Sequence, residues 1–360
     1  MTAESTSTRD HHVPRMYLKR FAISKGARHQ LVAAEVRDLE RRFKSDVKNV
    51  AVENGFYWGS DHNGVPHHEM EKYLGELEGV ATPAFRRVLD RGSRPTDDAL
   101  PPWPPSNETR RALSWWIAAQ ILRTFRQRAR LNLRSDSTPD PPQAFQSANR
   151  HNAYIQELIE PLASIIFHRP WGVGFSDYCL LTGDVPVLVL NGQDHDEQLI
   201  AVEYWDIYLP LDPHRCLYLP GIPNRPTRAF DADHRLKLHP GHAIALNNAV
   251  ADTAVKHIFF HPDHDPTPHL SPRQRQSLEV ELSTDWIPRY LVRYEQLAHG
   301  CGVERKWLVA HPSPADPGSD HRADDAEVVD SARILSAHLD QSVAGFAEHE
   351  STRNSPSAHR

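Results

Sequence analysis

The apolar residues of this chain change their spacing partway along, and that change limits the folds open to it. From His67 they recur at helical intervals. Met70, Leu74, Leu77 and Ala81 share one face, and Glu69, Lys72 and Glu76 lie off it. Pro83 is placed to kink or restart this helix, which the pattern carries to Gly92. After the proline-rich "RPTDDALPPWPPS", Ser106 or Asn107 caps a second helix to about Leu131, striped by Leu113, Trp116, Ile117, Ile121 and Phe125. Residues 151 to 170 read as a third helix, broken at Pro161. Beyond Gly172 the apolar residues come in short runs separated by turn residues: "YCLLT", "VPVLVL", "WDIYLPL", "RCLYLPG" and "HAIAL". These read as strands. "LNNAVADTAVKHIFF" then gives a short helix running into a strand. Ahead of the helices, "HHVPRMYLKRFA" reads as extended chain and a helical turn, and residues 29–36 and 47–59 as extended pieces. The expected fold is α+β: a helical N-terminal half packed on a mostly antiparallel sheet from the C-terminal half, in a single large domain.

Residues 1–9 are expected to be a disordered N-terminus, and residues 10–310 the domain. Residues 311–325, "HPSPADPGSDHRADD", are a linker by composition. Residues 326–348 form a terminal amphipathic helix suited to a partner protein, and 349–360 a disordered tail. The formal charge of −6 gives no global electrostatic reason to bind nucleic acid, though a local basic patch stays open. Three distant cysteines with no CxxC pair argue against a disulfide framework or a cysteine zinc site, and fit a cytoplasmic protein. The N-terminus lacks the apolar core of a signal peptide, and "ALSWWIAAQIL" is too short to span a bilayer, so no membrane is expected. No P-loop, GxGxxG, HExxH or GxSxG occurs in a fitting context, which removes support for ATP, dinucleotide and serine-hydrolase readings.

Five positions could carry chemistry. His12, at the turn into Pro14, offers a neutral imidazole as general base or metal ligand; alternatively it bonds a neighbouring backbone. Glu71, or Glu78 seven residues on, borders the apolar stripe of its helix; it is either solvated or completes a site with His12. Trp116, Gln120, Arg123 and Gln127 follow helical spacing, which sets Gln120 and Arg123 beside the apolar face. A buried arginine needs a partner, and a glutamate of the preceding helix is a natural one. The same guanidinium fork also suits a phosphate or carboxylate. Asp184, in "TGDVP", is held at a rigid strand end, as a ligand or base or as a cap for backbone amides. "HPDHD", residues 261–265, has metal-like composition but reads as a polar loop.

Several segments together resemble the bacterial family known as domain of unknown function 4238. They are "HHVPRMYLKRFA", "VKNVAVENGFYW", "HEMEKYLGELEG", "AAQILRTFRQR", "LLTGDVPVLV", "YLPLDPHRCLYL" and "LNNAVADTAVKHIFF", in order over roughly residues 10–262. The family has no established activity. Some of its members are counted among single-gene phage-defence candidates, so the resemblance implies an effector harmful to nucleic acid or to the host cell. The serine often found before the strand-turn aspartate is Gly183 here. The leading expectation is a phage-defence effector, a hydrolase or nuclease acting on a phosphate-bearing substrate such as a nucleic acid or nucleotide. Its catalytic groups would be His12, Glu71 and Asp184, its substrate-binding groups Gln120 and Arg123, with a divalent metal as an open option. The competing expectation is a non-enzymatic sensor or binding protein in which the polar row is a structural brace.

Overall fold

Strands, not helices, open the chain. The computed structural model describes residues 9–60, 66–89, 103–129, 147–190, 206–220 and 233–271. The linker, the terminal helix and the tail lie outside these residues. Strand β1 (Arg9–His11) pairs antiparallel with β5 (Val52–Asn54). Between them come the helical turn α1 (Arg15–Leu18) and three strands, β2 (Ile23–Lys25), β3 (Arg28–Glu35) and β4 (Asp38–Asp46). A two-residue ladder of β6 (Gly59–Ser60) and β7 (Pro66–His67) leads into the helices. The helical layer is therefore the middle of the chain, which corrects the expectation of a helical N-terminal half. β4 escapes the sequence pattern because "DLERRFKSD" is mostly exposed and shows no apolar alternation.

Helix α2 (Glu69–Leu89) runs through Pro83 without ending. Helix α3 (Asn107–Leu122) starts where expected, with the Ser106 hydroxyl accepting the Thr109 N–H at 3.2 Å. The helix expected to reach Leu131 is interrupted at residues 123–124, and residues 125–129 are helical again. Helix α4 (Ser147–Phe167) carries Pro161 without a break. α2, α3 and α4 pack side by side.

Strands β8 (Gly172–Ser176), β10 (Leu188–Leu190), β11 (Asp206–Asp212), β12 (Arg215–Leu219) and β13 (His234–Leu238) make one sheet in the order β10-β11-β12-β8-β13. It is antiparallel except for the β8–β13 pair. "HAIAL" is not a strand: it lies inside helix α5 (Pro240–Thr253). There Pro240 supplies a preset first turn and His239 Nδ1 accepts the Gly241 N–H at 3.2 Å. Strand β14 (His257–Phe260) joins β3 on one side and β9 (Thr182–Gly183) on the other, completing the second sheet.

Alternation along the inner strands explains the layering. Leu31 and Ala33 of β3, Phe259 of β14 and Leu217 of β12 enter the larger core with Trp116, Ile117 and Ile155 of the helices. Val32 and Ala34, Ile258 and Phe260, and Cys216 face the smaller core with Val250 and Ala251 of α5. The inner strands are thus buried on both faces, between three helices and one. No described helix is long and apolar enough to cross a membrane.

Candidate functional site

The opening segment is built to enter the helical layer. Asp10 is buried, and its carboxylate accepts the Tyr57 N–H at 2.9 Å. The His12 N–H donates to the Ala51 carbonyl at 3.0 Å. Ala51 itself sits at φ 50°, in the left-handed region that a residue with a Cβ adopts at a cost. Pro14 then turns the chain, and its carbonyl accepts the N–H groups of Tyr17 and Leu18. Tyr17 anchors the segment in the core, its hydroxyl donating to the Pro210 carbonyl at 2.6 Å.

Arg123, the residue capping α3, is the centre of the arrangement and is 1% exposed. Its Nε donates to the Tyr57 hydroxyl at 2.9 Å and one terminal nitrogen to Glu78 of α2 at 2.8 Å. The other donates to the His11 carbonyl. Three separate segments thus meet at one guanidinium. Burial works against its charge, but Tyr57 and Glu78 outweigh burial and the pKa goes up. The interhelical Glu–Arg bridge foreseen from spacing is present, with Glu78 as the partner. A second, partly buried cation lies alongside. Arg128 donates to the Phe56 carbonyl and to His151 Nδ1 at 3.3 Å, and its guanidinium stacks 3.8 Å from the Phe56 ring. His151 Nε2 bonds the Leu122 carbonyl at 2.9 Å, and Asn152 Nδ2 the Tyr57 carbonyl at 2.9 Å.

Glu71 faces this cluster from the first turn of α2. It is partly buried, and its Oε2 has no partner among the described residues. Burial pushes its carboxyl up to about 7, against the pull of Arg123; Asp10 and Glu78 push it further up. His12 is driven the opposite way. Burial, then Arg123, Lys256, His11 and His257, bring it down to about 3, so its imidazole is neutral at physiological pH. Its Nδ1 also has no partner. Gln120, one turn before Arg123, is fully buried with neither amide atom paired. A fully buried amide left empty on both atoms is unusual, and marks a place where water or a ligand would be held. The Trp116–Gln120–Arg123–Gln127 row expected on one helix ends at Arg123, because α3 ends there.

The structure brings Glu71, His12 and Arg123 within electrostatic reach of common neighbours and sets Gln120 on the same helix. Asp184 is engaged elsewhere. Both of its oxygens are taken by backbone N–H groups, from Val255 at 2.7 Å, Lys256 at 2.6 Å and His257 at 3.0 Å. The carboxylate thereby fixes the link from α5 into β14. Gly183 belongs to the same clamp. A Cβ there would stand 3.0 Å from the Ala254 Cβ, just past the end of α5, so a side chain at 183 would require Ala254 to shift by a few tenths of an ångström. Asp184→Asn is expected to lose about 2–3 kcal/mol of stability, because it faces three amide donors with one oxygen. Urea denaturation checks this, and an unchanged midpoint would remove the clamp.

Sequence reasoning passed over Asp10, Tyr57, His151 and Asn152. Each is a polar residue within or beside an apolar run, and "NGFYW" even carries a left-handed glycine, Gly55 at φ 62°. Their partners lie in other elements, so no local spacing marks them. Among the described residues, no trio of histidine, cysteine or carboxylate groups with converging ligand atoms includes Glu71 or His12. A family model described as "Protein of unknown function (DUF4238)" matches residues 9–264. No curated protein and no solved structure matches the chain.

Proposed function

The chain belongs to the DUF4238 family, and from that premise we propose that it is a defence effector acting as a hydrolase or nuclease on a phosphate-bearing substrate. The observation that carries the chemistry is Glu71: a part-buried carboxyl, its Oε2 without a partner among the described residues, held at about 7 beside a buried arginine. A group with its pKa near the working pH is suited to move a proton to or from an attacking water. Glu71 is assigned that role. Arg123 and Arg128 favour anionic ligands through their field, since their forks are occupied. Gln120 offers a free donor and acceptor to a bound group. His12, neutral and with Nδ1 open, orients water or substrate by hydrogen bonding rather than by taking a proton. No step is assigned to a metal ion.

A second reading has its own support. Each nitrogen of the Arg123 guanidinium bonds a protein group and the residue is almost wholly buried, as a brace in a non-enzymatic sensor or binding protein would be. The assay that separates the two incubates purified protein with DNA, RNA and nucleotides, in Mg²⁺, Mn²⁺ or EDTA. Cleavage is expected from the natural protein, and a loss of about 10²-fold or more in kcat from Glu71→Gln with a thermal midpoint no lower than the natural protein's. No cleavage under any condition, with no toxicity on expression, would favour the binding protein. Cleavage undiminished in Glu71→Gln would strip Glu71 of its role while leaving the enzyme.

A further inference from the structure

Apart from the residues bonded to Arg123, three loops converge on a different set of side chains. Cys179 lies between β8 and β9, His214 in the β11–β12 turn and His264 just after β14. One ligand atom from each lies within 4.8 Å of the others. Tetrahedral zinc with nitrogen at about 2.0–2.1 Å and sulfur at about 2.3 Å needs ligand atoms about 3.3–3.8 Å apart. Small side-chain rotations close that difference. We propose that Cys179, His214 and His264 form a three-ligand site for a zinc-class divalent transition-metal ion.

The surroundings are organised as such a site requires. His214 Nδ1 lies 3.1 Å from the Ser176 carbonyl. A carbonyl only accepts, so Nδ1 carries the proton and the lone pair is left on Nε2. Metal-bound histidines commonly show this pattern, in which the second nitrogen donates to a backbone carbonyl and fixes ring and tautomer. The loop bearing Cys179 is tied to the hairpin bearing His214 by main-chain bonds: Leu180 N–H to the Pro213 carbonyl at 2.7 Å, and Ser176 N–H to the His214 carbonyl at 2.8 Å. Asn247, buried in α5, holds the same loop from behind. Its Nδ2 donates to the Cys179 carbonyl at 2.8 Å and its Oδ1 accepts the Leu181 N–H at 3.0 Å. On the third side, Asp265 accepts the Thr267 N–H at 2.9 Å and pairs with Arg42 of β4, pinning the loop of His264.

One thiolate with two imidazoles is a borderline-soft donor set that suits zinc or cobalt and not magnesium or calcium. His261 is not a fourth ligand in this arrangement. Its Nδ1 accepts the Asp263 N–H at 3.3 Å, which puts its proton on Nε2. Three protein ligands leave one coordination position, and because the His214 and His264 side chains are exposed, that position faces solvent. "HPDHD" is thus half of a metal site whose other half is remote in sequence.

Cobalt(II) makes the proposal visible. Metal-stripped protein titrated with Co²⁺ is expected to take up one equivalent with a thiolate-to-cobalt charge-transfer band, and Zn²⁺ is expected to bleach it. Cys179→Ser should abolish the band, and Cys301→Ser should leave it intact. His264→Gln changes an exposed loop residue that the fold does not require; it should weaken cobalt binding at least tenfold with the metal-free thermal midpoint unchanged. This arm keeps the test valid if Cys179→Ser folds poorly. Cobalt binding without a charge-transfer band, a band that follows Cys301, or full affinity in His264→Gln would each overturn the site.

Discussion

Arg123→Met is expected to destabilise the protein by about 3–5 kcal/mol, the usual cost of removing one partner from a buried charged pair. Methionine nearly fills the volume, so the loss is electrostatic rather than a cavity. What it strands is specific: the His11 carbonyl and the Glu78 carboxylate lose their guanidinium donor, and the Tyr57 hydroxyl, which still donates to the residue 123 carbonyl at 3.3 Å, loses the bond it accepted. Glu78 is 26% exposed and can recover water, which places the effect toward the lower end. Arg123→Lys should recover little, because one ammonium cannot span three acceptors set for a planar fork. Glu78→Gln should cost only about 1 kcal/mol, since an amide still accepts a bond. The double variant Arg123→Met/Glu78→Gln should be less destabilised than the sum of the two, as the stranded charge is then gone. Urea midpoints of the four proteins decide it. A loss below about 1 kcal/mol for Arg123→Met would mean that the three segments are held together by their apolar contacts alone.

The same residue shows how far the sequence could be read. Its place beside an apolar stripe and its need for a glutamate followed from helical spacing, because both partners lie on neighbouring helices with regular periods. The end of α3 did not follow. "ILRTFRQR" contains no glycine or proline and would continue as helix by propensity. The break at residues 123–124 coincides with the bonds of Arg123 to Tyr57, His11 and Glu78, tertiary contacts that a local pattern does not show. Asp184 was legible as a rigid carboxylate at a strand end, but its bonding partners come from 255–257, so spacing could not say whether it was free. "HAIAL" misled because a short apolar run fits a strand or a buried helix equally, and the deciding signal was the His239–Pro240 start just before it. His264 alone in "HPDHD" could not be told from a surface histidine without Cys179 and His214 brought to it by the sheets.

Stability is expected to fall steeply as pH drops below about 6. His12 and His151 are held near 3 by burial, whereas in the unfolded chain both titrate at 6.5. Between these values the unfolded state binds more protons than the folded one, so stability is present above 6.5 and is lost as pH falls toward 3. At about 1.4 kcal/mol per pH unit for each group, the two together cost up to roughly 4 kcal/mol at pH 5. Glu71 runs the other way. Its folded value of about 7 lies above the usual 4.5, so its contribution is complete below 4.5 and declines as pH rises through 7. Its partial exposure makes this arm the smaller. The natural protein should therefore show a shallow plateau from pH 6 to 8 and a steep acid limb. Glu71→Gln removes the penalty at the alkaline side only, so it should raise stability at pH 8, leave it nearly unchanged at pH 5, and steepen the slope between. His151→Gln, which can still bond the Leu122 carbonyl, should blunt the acid limb instead. Urea midpoints at pH 5, 6, 7 and 8 test all three proteins. A profile flat from 5 to 7 would mean that the imidazoles gain protons without penalty, which requires water to reach them. The polar cluster would then be a solvated cleft, and the pressure holding Glu71 near neutrality would vanish with it.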